Sequence, residues 1–169
     1  NSTLLSSTVG LRVIKTYNRV ATTITMFETL WFDGWVEASR STHKSLRDPL
    51  LRKHQQTNYS SNLDPAILRV ITECRMLKLH GLDLPPFANS LSEQESRIKH
   101  TNLLIKHVLS RYSSVLQLSS GSLQTLFFEA TLKVAEKLDH CRLNLSWSSL
   151  GVDDYLREVE TSIDKLEAC

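Results

Sequence analysis

The segment from Leu11 to Asp48 constrains the fold more than any other part of the chain. It contains no proline and a single glycine, and its apolar residues recur at steps of three or four. This is the period of an α-helix that buries one face. We predict one long helix over about residues 11–47, which at ~1.5 Å per residue would extend about 54 Å. The apolar stripe comprises Val13, Tyr17, Val20, Ile24, Phe27, Trp31, Trp35 and Ala38.

Later segments show the same period between clear start and stop signals. Asp64-Pro65 offers a helix N-cap and a first helical residue, and Gly81 is placed to end that helix in the left-handed conformation. Pro85-Pro86 opens the next apolar pattern, and Ser149 is placed to cap the last. The helices are predicted over about residues 65–80, 85–117, 121–141 and 150–167.

Alternation of apolar and polar residues, the pattern of a strand, is absent apart from a few extended residues near Leu50–Arg52 and Leu143–Leu145. We therefore predict an all-α fold, an elongated antiparallel helical bundle. Its 169 residues, 41% of them hydrophobic, suffice for one core. Because the chain starts at Asn1 rather than at a methionine, we interpret residues 1–169 as a single segment of a much larger chain.

Charge is distributed unevenly along the chain, in one basic and one acidic stretch, although the net charge is only +2. That balance gives no general attraction to nucleic acid or to an anionic membrane. From Asp153 to Glu167 there are six acids against two bases. The acidic and basic stretches are either solvated faces or complementary surfaces that dock within the fold or onto partners. The basic stretch comprises Arg40, Lys44, Arg47, Arg52 and Lys53.

Residues for catalysis, cofactor binding or metal binding are not predicted. The glycines are isolated, so no phosphate-binding loop is formed, and the histidines make no pair at metal-ligand spacing. A helical enzyme that uses Cys141 or a histidine pair remains a minor alternative. The sequons at Asn1, Asn58 and Asn144 leave a second alternative, a secreted glycosylated four-helix-bundle signalling protein.

Five short motifs, in order along nearly the whole chain, resemble the N-terminal tail region of dynein heavy chains. The first motif lies in the predicted long helix and the second in the turn after it. The other three lie in the later helices and in the segments between them. Ser61 and Leu63 depart from the family pattern, which has Val and Phe there. The motifs are Tyr17-Asn18 with Phe27-Glu28, Trp31 and Trp35; Leu46 with Leu50–His54; Asn62–Pro65 with Ile67, Ile71 and Glu73; Met76–Lys78 with Gly81–Pro85 and Ala88; and Leu145–Ser149 with Tyr155 and Val159.

The resemblance implies a non-catalytic scaffold in the tail of an axonemal dynein heavy chain. The expected partners are other heavy chains and intermediate and light chains, with the microtubule doublet reached indirectly and no nucleic acid or membrane. ATP is expected only in the downstream motor, and the expected location is the cytoskeleton of the cytoplasm and the axoneme of cilia or flagella. The basic stretch is the candidate partner patch. The motif residues expected to be structural are Tyr17, Glu28, Trp31, Trp35, Asn62, Asp64, Pro65, Glu73, Gly81, Pro85 and Trp147, and the three tryptophans are expected in the core or, alternatively, as anchors in a partner interface.

Overall fold

The computed structural model describes residues 7–55, 58–118 and 124–168. The chain divides into two compact units, Asn1–Arg40 and Ser41–Cys169. In its described part, the first unit consists of most of one long helix. Among its described residues, the second unit contains five further α-helices and a two-stranded sheet. The all-α class is confirmed, and the elongated shape stays a prediction.

The long helix α1 runs from Thr8 to Lys44 and confirms the first prediction. It begins after Ser7, whose hydroxyl oxygen accepts a hydrogen bond from the amide of Gly10, as an N-cap does. A short 3-10 helix, Ser45–Arg47, follows it directly and accounts for the predicted end near residue 47.

A β-hairpin follows, formed by β1, Leu51–Gln55, and β2, Asn58–Ser61. The antiparallel pairing shifts register between Lys53 and Gln55, which leaves His54 as the extra residue of a bulge. The hairpin corrects the prediction that only a few extended residues lie here. The polar segment from Asn58 to Ser61 shows no strand alternation, so its strand depends on tertiary contacts that a local pattern does not reveal.

The helix α2, Pro65–Leu79, has the predicted caps. The Asp64 carboxylate accepts a 2.8 Å hydrogen bond from the amide of Ala66. At the other end Gly81 has φ +76°, and the amide of Leu82 donates to the carbonyl of Leu77. This pairing is a Schellman motif, which requires a left-handed residue at the position of Gly81.

The predicted helix over 85–117 is two helices, α3, Pro86–Glu93, and α4, Glu95–Leu118. Gln94 separates them with φ −83° and ψ 1°. Its amide still donates to the carbonyls of Ser90 and Leu91, so the break is a tight turn that preserves hydrogen bonding. Because neither glycine nor proline marks the turn, the apolar period alone does not reveal it.

Two more helices complete the second unit, α5, Gln124–Asn144, and α6, Val152–Glu167. Ser149 does not cap α6, because Gly151 is its N-cap residue, with φ +72°, and the Ser149 hydroxyl instead accepts from the amide of Ser146. The predicted residues Leu123 and Phe127 of the α5 apolar face lie outside the described side chains.

Side-chain contacts give the directions of the last three helices. Thr101 and Arg111 of α4 contact Asp153 and Asp164 of α6 respectively, so α4 and α6 run parallel. In α5, Lys137 contacts Ser162 of α6, while His140 stacks on Tyr155 of α6, so α5 and α6 run antiparallel. This is the up-down-up order of an antiparallel bundle.

The core of the second unit collects the apolar faces predicted from the helical period. The hairpin contacts both α4 and α5, because Tyr59 packs against Tyr112 and Lys53 reaches Asp139. Buried residues come from every element of this unit. They include Leu46, Leu50, Leu51, Ile67, Ile71, Cys74, Ala88, Leu91, Ile98, Ile105, Val108, Val134, Leu138, Cys141, Trp147, Leu156, Val159, Ile163 and Leu166.

Candidate interaction surfaces

Three of the sequence motifs meet in the second unit and form what we call the motif junction: residues Leu46–Leu50, Asn62–Pro65 and Leu145–Ser149. The carbonyl of Leu46 accepts a 3.0 Å hydrogen bond from the amide of Ser148. The amide of Leu50 donates to the carbonyl of Leu145 at 3.1 Å. The order of the motifs along the chain therefore reflects a contact in space.

Asn62 and Asp64 complete the motif junction. The backbone amide of Asn62 donates to the carbonyl of Leu50, and its side-chain amide donates to the carbonyl of Pro49, each at 2.9 Å. Asp64 caps α2 through one carboxylate oxygen and accepts from the hydroxyl of Ser45 through the other. These motif residues therefore bind the chain's own backbone.

Trp147 is the buried anchor of the motif junction. Only 2% of its surface is exposed, as predicted for a core tryptophan. Its indole nitrogen has no hydrogen-bond partner among the described residues. The side chain therefore acts by filling space, because a buried donor without an acceptor contributes no favourable hydrogen bond.

The other two tryptophans belong to α1 and differ from Trp147. Trp31 is 51% exposed, which corrects the prediction that it lies in the core of this chain. Trp35 is partly buried and stacks on Phe32, with ring centroids 5.7 Å apart. Trp31 therefore fits the alternative, an anchor for a partner.

The rest of the α1 stripe is exposed in the same way, as a helical face with large apolar side chains at its surface. Tyr17 is 71% exposed and Phe27 is 69% exposed, and Glu28 beside it is also exposed. Exposed apolar side chains in a continuous row on a helix mark a surface that binds another protein element. The row comprises Val9, Val13, Tyr17, Val20, Ile24, Phe27 and Trp31.

The predicted basic patch divides between the two units. Arg40 belongs to the first unit, while Lys44, Arg47 and Arg52 are exposed in the second. Lys53 is engaged within the fold: its ammonium lies 2.8 Å from Asp139 and over the ring of Tyr59. The hydrogen bond to Asp139 raises the pKa of Lys53.

The acidic stretch docks within the fold, one of the two predicted outcomes, but on α4 rather than on the basic patch. Arg111 of α4 binds Glu160, Asp164 and Glu167 of α6. Hydrogen bonds to Glu167 and Asp164 raise the pKa of its guanidinium. His107 lies 3.3 Å from Glu160. The hypothesis that the acidic stretch pairs with the basic stretch was therefore wrong, because a helical period does not show which helices face each other.

The structure contains a groove between α5 and α6 that was not predicted from the sequence. It has a volume of about 600 Å³. The signal was available, because Lys133, Lys137 and His140 are spaced four and three residues apart and share one face of α5. The groove is lined by Ala130, Lys133, Val134, Glu136, Lys137, His140, Tyr155, Ser162, Lys165 and Leu166.

The remaining motif residues have backbone or packing positions. Pro85 is the N-cap residue of α3, and its carbonyl accepts from the amides of Ala88 and Asn89. Glu73 is partly buried in α2, beside Cys74. Pro65 is the first residue of α2.

The position of Cys141 argues against the minor alternative, a helical enzyme that uses this cysteine as its nucleophile. Cys141 is buried, and burial raises the pKa of its thiol to about 12, so it remains protonated at neutral pH. Its neighbour His140 stacks on Tyr155. Among residues 7–55, 58–118 and 124–168, no group of three or more metal-binding side chains is found, and no helix is long and apolar enough to cross a bilayer.

Comparison with known proteins decides the family. The model of the dynein heavy chain N-terminal region 1 matches residues 1–155. The chain belongs to the dynein heavy chain family. It is 32% identical to dynein axonemal heavy chain 8 of Mus musculus over 97% of its own length. It is 31% identical to dynein axonemal heavy chain 5 of the same species over 92% of its own length.

A dynein gamma chain of the flagellar outer arm from Chlamydomonas reinhardtii is 26% identical over 99% of the chain. The chain spans only 3–4% of the length of these dynein relatives. It corresponds to a part of the N-terminal, non-catalytic region of a dynein heavy chain. This membership replaces the secreted signalling protein as the interpretation of the helical bundle.

Proposed function

We propose that this chain is a scaffold segment in the tail of an axonemal dynein heavy chain. In this proposal it supports assembly by binding other heavy chains and intermediate and light chains, and it helps to anchor the microtubule motor in the axoneme. ATP would bind only in the downstream motor. The axonemal and flagellar names of the relatives support the location.

The exposed apolar face of α1 carries the proposal. The row includes Phe27, 69% exposed, and Trp31, 51% exposed. Apolar surface is unfavourable in water, and covering it with a partner lowers the free energy by about 25 cal/mol per Å². Tyr and Trp are also the side chains that dominate binding interfaces. A scaffold needs such a surface, whereas a self-contained module would bury it.

The test replaces Phe27 and Trp31 by alanine together in the full-length heavy chain. Alanine keeps the helix propensity of α1 while it removes the apolar area. The control replaces Leu79 and Leu150, exposed apolar residues of the second unit, by alanine. Loss of two interface anchors is expected to lower recovery of dynein heavy, intermediate and light chains by roughly tenfold or more.

The measurement is the amount of each chain that co-purifies with the tagged heavy chain from ciliary extract. The control variant should recover the same amounts as the wild type. Equal recovery by the Phe27 and Trp31 variant would contradict the proposal that this face holds a tail partner.

A further inference from the structure

The groove between α5 and α6 combines positive charge with an apolar lining. Three lysines, Lys133, Lys137 and Lys165, line it together with a single glutamate, Glu136. Ala130 contributes to the apolar lining, and the almost fully buried side chains of Val134 and Leu166 border the groove. Lys133 and Lys137 form no salt bridge among the described residues, whereas Lys53 is paired with Asp139.

The side chain of Lys137 is held in place by uncharged hydrogen-bond acceptors rather than by a carboxylate. Its ammonium donates to the hydroxyl of Ser162 at 2.9 Å and lies 3.5 Å from the backbone carbonyl of Glu158. Both acceptors are uncharged, so the full positive charge remains. An ammonium has three N–H donors, and a further donor is therefore available to a ligand.

The basic side chains of the groove follow the helical repeat of α5. Lys133, Lys137 and His140 lie on one face of α5 at successive turns. The ring of His140 is fixed by stacking on Tyr155, 5.0 Å between centroids, and the Tyr155 hydroxyl donates to the carbonyl of Lys137. A ligand with negative groups about one helical turn apart would meet this row in register.

We propose that this groove binds an acidic amphipathic polypeptide segment. Its Asp or Glu carboxylates pair with Lys133 and Lys137, and its apolar side chains enter the groove. The charge of the groove and the spacing of its cations select this occupant. The inference rests on the proposed scaffold function, because it names the chemistry of one tail partner.

The first experiment treats the native complex that contains the full-length heavy chain with a carbodiimide. This reagent joins an amine directly to a carboxylate, so only groups in contact are linked. We expect Lys133 or Lys137 to be linked to an Asp or Glu outside residues 1–169, as located by mass spectrometry. Lys106, exposed on α4, is the control lysine. Links from Lys133 and Lys137 confined to this segment would overturn the proposal.

The second experiment measures affinity with a defined probe, a short fluorescent helical peptide of leucine and glutamate with glutamates one turn apart. The full-length heavy chain with Lys133→Glu and Lys137→Glu is compared with a Lys78→Glu and Lys106→Glu control of equal charge change. Binding should weaken roughly tenfold in the first variant and by less than about twofold in the control. Equal binding by both variants, or no preference over the same peptide with glutamine, would overturn the proposal.

The two proposals fail in different ways. If the heavy chain recovers its tail partners but shows neither the links nor the probe binding, the groove assignment is wrong and the scaffold function stands. If the wild type recovers no tail partner, the scaffold function is wrong, and the probe assay still decides whether the groove binds acidic peptides.

Discussion

The ammonium of Lys53 lies 2.8 Å from a carboxylate oxygen of Asp139 and joins the β-hairpin to α5. Both side chains are about one-third exposed. Burial alone would raise the pKa of Asp139, but hydrogen bonds from Lys53 and Arg142 hold it below its ordinary value. The pair therefore stabilises the charged form of the aspartate in the folded state.

The first prediction concerns the pH dependence of this pair. Because the folded-state pKa of Asp139 is lowered, its stabilising contribution is present above the ordinary aspartate pKa of about 3.9 and is lost as the pH falls through the lower, folded value. Asp139→Asn should therefore reduce the loss of stability on acidification below about pH 5. Urea denaturation between about pH 3 and pH 6 measures the free energy of unfolding of the wild type and of the Asp139→Asn variant. Parallel pH profiles for the two proteins would contradict the role of Asp139.

A second prediction concerns Trp147 in the motif junction. Trp147→Ala should lower the free energy of unfolding by about 3–5 kcal/mol, because it opens a cavity among buried side chains. Trp147→Phe should cost less, since phenylalanine refills part of the space and removes a buried donor without an acceptor among the described residues. Denaturant titration measures the free energy of unfolding of both variants. An equal loss in the two would show that the volume of the side chain does not determine the stability at this position.

Two glycines give a third prediction, because their substitution by alanine should have opposite effects. Gly81 has φ +76°, and a left-handed conformation costs an alanine roughly 1–2 kcal/mol. Gly34 lies inside α1. Apart from chain neighbours and the backbone of its own helix, no described atom lies within 4 Å of a Cβ added at either glycine. Gly34→Ala should therefore stabilise α1 by up to about 1 kcal/mol. Thermal unfolding followed by circular dichroism measures both, and a stabilising Gly81→Ala would contradict the Schellman assignment.

The fourth prediction compares two arginines. Arg111→Ala should destabilise the second unit by about 1 kcal/mol, because it removes the shared cation of three partly exposed carboxylates of α6. Arg157→Ala removes only an exposed pair with Asp154 and should change stability by less than about 0.5 kcal/mol. High salt should narrow the difference between the variants. Similar effects of both substitutions at low salt would show that the Arg111 cluster adds little.

The ends of α2 were predictable because a backbone requirement selects the residue type at each, whereas the cap of α6 was wrongly assigned to Ser149. Asp64 and Gly81 mark the ends of α2, because few residues accept a backbone amide in an N-cap or tolerate a positive φ. The apolar period likewise predicts the buried side of α6, from Val152 to Leu166. These signals lie within a few residues of the structure that they specify.

The interactions between distant segments were less predictable. The strand from Asn58 to Ser61 depends on pairing with Leu51–Gln55, and the partner of the acidic helix is Arg111 rather than the basic patch. Trp31 and Trp147 were equally expected as core residues because both are large aromatics, yet of these two only Trp147 is buried. A helical period shows that a face seeks a partner, but it does not show whether that partner belongs to the same chain.

The motif junction also defines a route for mechanical load. A pull on the chain from the side of α1 reaches the second unit at Leu46 and Leu50, whose backbones are bonded directly to Ser148 and Leu145. Tension would therefore pass to the start of α6 without first travelling through α2 to α5. Under tension applied between α1 and the end of α6, this shortcut would spare the intervening helices α2 to α5 from being stretched.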